Sequence, residues 1–139
     1  MPLHRSQFIA LADFRHQVRT FLHFSEQASR ASGLEPQQHQ LLLALKGSRE
    51  PDTTVGALAE RLQIRHNSAV ELIDRMVHHG WIRRSPARQD RRRVVIKLTR
   101  SGNAVLAALS AVHLRELRQA GPALVQALEE LLPAARGAE

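Results

Sequence analysis

TVGALAERLQIRHNSAVELIDRMVHHGWIRRSPARQDRRRVVIKLT, residues 54–99, decides the fold. Thr54 is placed to cap a short helix whose apolar stripe is Val55, Leu58, Ala59 and Leu62, and Gln63 to His66 make a tight turn. A second helix follows to about His79, with Ala69, Leu72, Ile73, Met76 and Val77 on one face and Gly80 suited to the left-handed position that ends it. Two short helices joined by a brief turn predict a helix-turn-helix. Trp81–Ser85 and Val94–Thr99 then read as two strands, the second alternating Val94, Ile96 and Leu98 against Val95 and Lys97, with Pro86–Arg93 as the loop between them.

Upstream, apolar residues at Leu11, Phe14, Val18, Phe21 and Leu22, with Ser25 on the polar edge, mark one stripe of a long helix from Phe8 to about Ala31, closed by Ser32 and Gly33. Pro36 suits the first turn of the next helix, whose buried face is Leu41, Leu42 and Leu45, and Gly47 to Thr54 form a loop. Downstream, Thr99 caps a long helix marked by Val105, Ala108, Leu109 and Val112. Gly121 and Pro122 are expected to interrupt it, Leu124, Val125, Leu128, Leu131 and Leu132 to mark a last helix, and Pro133–Glu139 to form a tail. The fold class is mainly α, in one domain over 1–139, with a two-stranded wing and long terminal helices over 5–31 and 100–133.

Composition narrows the function. The chain carries a net charge of +7, and six arginines (Arg83, Arg84, Arg88, Arg91, Arg92, Arg93) against the single acid Asp90 place +5 of it between residues 83 and 93. A loop with that density of guanidinium groups suits phosphates or a narrow minor groove, although charge runs of this kind also occur as plain solvated surface. What separates the two is context, because this run directly follows a helix-turn-helix. With 43% hydrophobic residues, only 4% aromatic, and no cysteine, the chain suits a helical globular protein without disulfides, thiolate nucleophiles or cysteine-ligated zinc. No apolar run approaches the roughly 18 residues of a membrane span, and no secretory signal pattern opens the sequence, so a cytoplasmic location is expected, with no membrane partner.

The segments T-V-G-A-L-A-E-R-L (Thr54–Leu62), A-V-E-L-I-D-R-M-V-H-H-G-W-I (Ala69–Ile82) and D-R-R-R-V-V-I-K-L-T-R-S-G (Asp90–Gly102) resemble the MarR family of winged helix-turn-helix regulators. The resemblance runs from the first helix through the strand ending in K-L-T. It implies a DNA-binding unit over 54–99, a D-x-R element on Asp90 and Arg92, with Arg92 entering the minor groove and Asp90 holding a neighbouring arginine, and terminal helices that interlock two copies of the chain. The recognition helix would be His66–His79, with Arg65, His66, Asn67, Ser68 and Arg75 as candidate contacts to bases or phosphates, and Arg84, Arg88 and Arg91 joining Asp90 and Arg92 on the wing. Arg65 occupies the position where the family often carries a capping Ser or Thr. Glu71 brings a negative charge to the same helix; it either pairs with Arg75 one turn later or accepts from a cytosine amino group. The implied partners are double-stranded DNA at the bacterial nucleoid and a second copy of the chain, bound at a palindrome, with repression the commoner outcome.

The family resemblance further implies release by a small aromatic or acidic effector. His16, Phe24 and His39 are the candidate contacts, with Phe21 and His23 nearby in sequence, although such residues are more often ordinary core or boundary positions. Eight histidines raise a metal sensor as an alternative, yet no His-x-x-x-His or cysteine pattern supports one, and no metal or other cofactor is assigned. Catalysis finds no G-x-S-x-G elbow, phosphate-binding glycine loop or H-E-x-x-H pair, so the expectation is a protein that is not an enzyme. The other reading left open is a winged helix that binds nucleic acid without sequence preference.

Overall fold

In a computed structural model, residues 1–133 are described; the expected tail beyond Pro133 lies outside them. The described chain forms two compact units. One holds Ser29–Ser110, and the other Met1–Ala28 with the stretch from Ala111 onward.

The Ser29–Ser110 unit contains α2 (Pro36–Lys46), α3 (Val55–Leu62), α4 (His66–His78), β1 (Ile82–Pro86) and β2 (Val94–Leu98). Each local expectation has a visible cause. Pro36 stands at the start of α2, and the Gln38 Oε1 accepts from the Glu35 backbone N–H at 2.9 Å. The Thr54 hydroxyl accepts from the Ala57 N–H at 3.2 Å, and Gln63 ends α3 in the left-handed conformation, φ 56°. Gly80, at φ 81°, turns the chain from α4 into β1. The core is mainly apolar: Leu34, Leu41, Leu42, Leu58, Leu72, Ile73, Met76, Ile82 and Ile96 are almost wholly buried. A fully buried Leu contributes about 1.5–3 kcal/mol through the water it leaves.

The hairpin is antiparallel, with Ile82 opposite Leu98, Arg84 opposite Ile96 and Pro86 opposite Val94. Its burial does not follow the expected alternation. Val95 and Ile96 are both buried while Val94 is 48% exposed. The free edge of β2 is engaged at its middle, where the Ile96 N–H donates to the carbonyl of the buried Thr53 at 2.8 Å; Val94 lies beyond that bond, at the end that opens into the wing loop.

The long helices are α1 (Arg5–Ala31) and α5 (Arg100–Leu131). Two expectations about them need correction. On α1, within Met1–Ala28, the shielded positions are Ala10, Phe14, Gln17, Val18, Phe21, Phe24, Ser25 and Ala28, so Phe14, Val18, Phe21 and Ser25 of the expected stripe are shielded whereas Leu11 and Leu22 are exposed. The helix is apolar over more than one face, so the periodicity found the middle of the shielded side but extended it to Leu11 and Leu22 on one flank and left out Ala10, Gln17 and Phe24 on the other. Gly121 and Pro122 do not divide the last region, because α5 runs through both. One row of its shielded positions, Gly102, Leu106, Leu109, His113, Glu116, Ala120, Leu124, Ala127 and Leu131, keeps steps of three and four across the proline, so the helical register is unbroken. Proline forfeits one backbone hydrogen bond there without ending the helix.

Candidate nucleic-acid interface

Helix α4 has a sharply divided surface. Ala69, Leu72, Ile73 and Met76 are buried, and the row opposite them, at steps of four, three and four, is Asn67, Glu71, Asp74 and His78, all exposed. Ser68 and Arg75 flank that row and are exposed too. Arg65 and His66 sit at the helix entrance, Arg65 as the N-cap with extended backbone and no side-chain capping bond. The orphan N–H groups of that first turn therefore face solvent beside an arginine, an arrangement that favours an anion.

The wing loop is held by its own backbone. The Ala87 N–H donates to the Arg93 carbonyl at 2.8 Å, the Arg93 N–H to the Asp90 carbonyl at 3.0 Å, and the Arg92 N–H to the Asp90 carboxylate at 3.0 Å. Asp90 thus fixes the main chain at Arg92, while the side chains of Arg88, Arg91, Arg92 and Arg93 remain exposed. Arg83 and Arg84, on β1, are exposed as well, and Arg84 forms an ion pair with Asp74 of α4. That pair joins β1 to α4. Sequence reasoning missed it, since it connects residues on different elements whose approach no single periodicity encodes. Of the two alternatives for Glu71, the pair with Arg75 is not formed; the ion pairs seen among the described residues are Arg84–Asp74 and Lys97–Asp52.

The base of the wing is clamped to the start of α5. Thr99 accepts from the Gly102 N–H at 3.1 Å, as an N-cap does, and the Ser101 hydroxyl donates to the Gly80 carbonyl at 2.8 Å.

The candidate effector residues are placed as follows. His16 is exposed and borders an open hollow on α1 with Arg15, Arg19 and His23. Phe24 is half-buried and meets His113 edge-on, as Phe21 does, while the His113 Nε2 and the Ser25 hydroxyl lie 2.7 Å apart. His39, on α2, is buried. Among the described residues no group of three or more His, Asp or Glu side chains gathers in a metal-binding arrangement, and no helix is long and apolar enough to cross a membrane.

A sequence model of the MarR family matches residues 32–93. No curated protein sequence matches the chain. Among solved structures, the chain is similar to AbsC of Streptomyces coelicolor, a MarR family transcriptional regulator, at 20% identity over 96% of this chain and 86% of that one, TM-score 0.70. It is similar to Staphylococcus aureus MepR in a DNA complex at 23% identity over 76% and 75% of the two chains, TM-score 0.64. It is also similar to CouR of Rhodococcus jostii RHA1, solved with p-coumaroyl-CoA, at 19% identity over 72% and 69%, TM-score 0.64. At these identities the likeness is one of fold, and the fold is the mainly helical winged helix-turn-helix that the sequence predicts.

Proposed function

We propose, on the match of residues 32–93 to the MarR family model and on the likeness of fold, that the protein is a DNA-binding transcription regulator acting as a homodimer on a palindromic operator. The observation that carries the reading is the exposed arginine wing beside a recognition helix, in one compact unit. The first turn of α4 would meet base edges in the major groove, and Arg92 would enter the adjacent minor groove from a loop whose main chain Asp90 fixes. Arg75, Arg88 and Arg91 would lie along phosphates, positioning the protein without reading sequence. No chemistry is required of it: occupancy of the operator is the action, and repression follows where the operator overlaps a promoter.

Fluorescence anisotropy on a duplex from the region upstream of its own coding sequence tests this, against a scrambled duplex at two salt concentrations. Binding at two chains per duplex, about a thousandfold or more tighter than to the scrambled control, is the expected result. Equal, weak and steeply salt-dependent binding to both would reduce the protein to a polyanion binder.

An effector acid is the second part of the reading. Its support is the open hollow on α1, where Arg15, His16, Arg19 and His23 gather against the single carboxylate Glu26, together with a fold neighbour, CouR, solved with p-coumaroyl-CoA. Titration of the protein–operator complex with aromatic carboxylates should release DNA, and His16→Ala should blunt that release while leaving operator affinity unchanged.

A further inference from the structure

The outward row of α4 carries two carboxylates, Glu71 and Asp74, in a position that should approach a polyanion. Left uncompensated, each would oppose binding by repulsion from the phosphates. The structure treats them differently. Asp74 is paired with Arg84, so its charge is met by the wing strand. Glu71, one turn from Asn67 and at the middle of the row, is exposed and has no hydrogen-bond or ion-pair partner among the described residues; Arg75, four residues on, does not reach it. An ionised carboxylate is acceptor-only. In a major groove the acceptor-only side chain finds one base edge that offers a donor without an adjacent acceptor, the N4 amino group of cytosine. Guanine presents only acceptors there, adenine sets its amino donor beside the N7 acceptor, and thymine shows an acceptor and a methyl group.

We infer that Glu71 is a specificity-determining residue that accepts a hydrogen bond from a cytosine amino group in each half-site, and that the Asp74–Arg84 pair silences the second carboxylate so that one acidic reader remains per recognition helix. Glu71 thereby works by exclusion as much as by attraction. Every site without cytosine at that position leaves its charge repelled and unpaired, so general affinity is reduced while discrimination rises. The inference rests on the operator-binding reading above and adds to it a base and a residue.

The test is selection from a duplex library with randomised half-sites, using the full chain, its Glu71→Ala variant and its Glu71→Gln variant, each checked for unchanged thermal unfolding. The unaltered protein should enrich a palindrome with cytosine at one symmetric position. Glu71→Ala should lose the preference at that position alone, and its affinity for scrambled duplex should rise. Replacing the cytosine should weaken the unaltered protein about five- to tenfold and the Ala variant hardly at all, the lower end of what a base contact contributes. Glu71→Gln, which donates and accepts, should move the preference toward adenine. If both variants select the same base as the unaltered protein at every position, Glu71 reads nothing and the inference falls alone. If the unaltered protein enriches no palindrome, the operator reading falls and takes this inference with it.

Discussion

At the scale of single residues, Gly102 and Arg92 have opposite characters, one wholly structural and the other wholly available to a partner. A Cβ on Gly102 would lie 2.0 Å from the Trp81 carbonyl oxygen, a contact no backbone tolerates, and that same oxygen accepts from the Thr99 N–H at 3.1 Å. Gly102→Ala must therefore push α5 off the end of β1; it should destabilise the fold by about 1–3 kcal/mol, read as a fall in the chemical denaturation midpoint, and an unchanged midpoint would mean the clamp yields freely. Arg92→Ala should do the reverse. Its side chain is exposed, so melting should not move, while operator affinity falls by about 1–3 kcal/mol; unaltered affinity would remove Arg92 from the interface. The two residues also differ in how far the sequence reveals them. Arg92 stands out in a run of like charge after a helix-turn-helix. Gly102 looks like an ordinary glycine in the first turn of a helix, because the need for it lies in Trp81, twenty-one positions earlier, and only the closed clamp shows it.

At the scale of elements, what was legible is what depends on near neighbours. Thr54 caps α3, Thr99 caps α5 and Gly80 ends α4 through contacts within three or four residues, which is the range a sequence pattern can carry. The wing arginines and the exposed first turn of α4 belong to the same class. Burial of Val95 and Ile96 together depends instead on Thr53 docking against β2, and the ion pair of Asp74 depends on Arg84 reaching across from β1. Pro122 shows the same limit from the other side. Its ring argues locally for a break, yet the shielded positions before and after it stay in one register, so the helix is retained at the cost of a hydrogen bond. Since Pro122 is exposed, Pro122→Ala should restore that bond without crowding a neighbour and raise the melting temperature, a gain of up to about 3 kcal/mol less what proline contributes by stiffening the unfolded chain. A lower melting temperature would show that α5 uses the proline's geometry.

At the scale of the whole molecule, the two units differ in how they meet water. Of the large apolar side chains exposed by more than a third among the described residues, only Leu43 and Val94 belong to the Ser29–Ser110 unit; the rest, including Phe8, Ile9, Leu22, Leu114, Val125 and Leu128, fall in the unit built from the two chain ends. A soluble monomer rarely leaves so much apolar surface on one unit, and a second copy of the same surface is the simplest cover for it. In a two-fold interface each substitution counts twice, so a carboxylate placed there brings two charges into an apolar contact. Leu22 and Val125 are 51% and 54% exposed, and neither is needed to hold its own helix. The double variant Leu22→Glu with Val125→Glu should keep its helical circular dichroism, sediment as one chain where the unaltered protein sediments as two, and lose operator affinity by far more than any single arginine change, because a single half-site contact must then supply all the binding. A variant that still sediments as two chains would place the dimer contact elsewhere on α1 and α5, and an unaltered protein that sediments as one chain would remove the two-fold operator from the proposal.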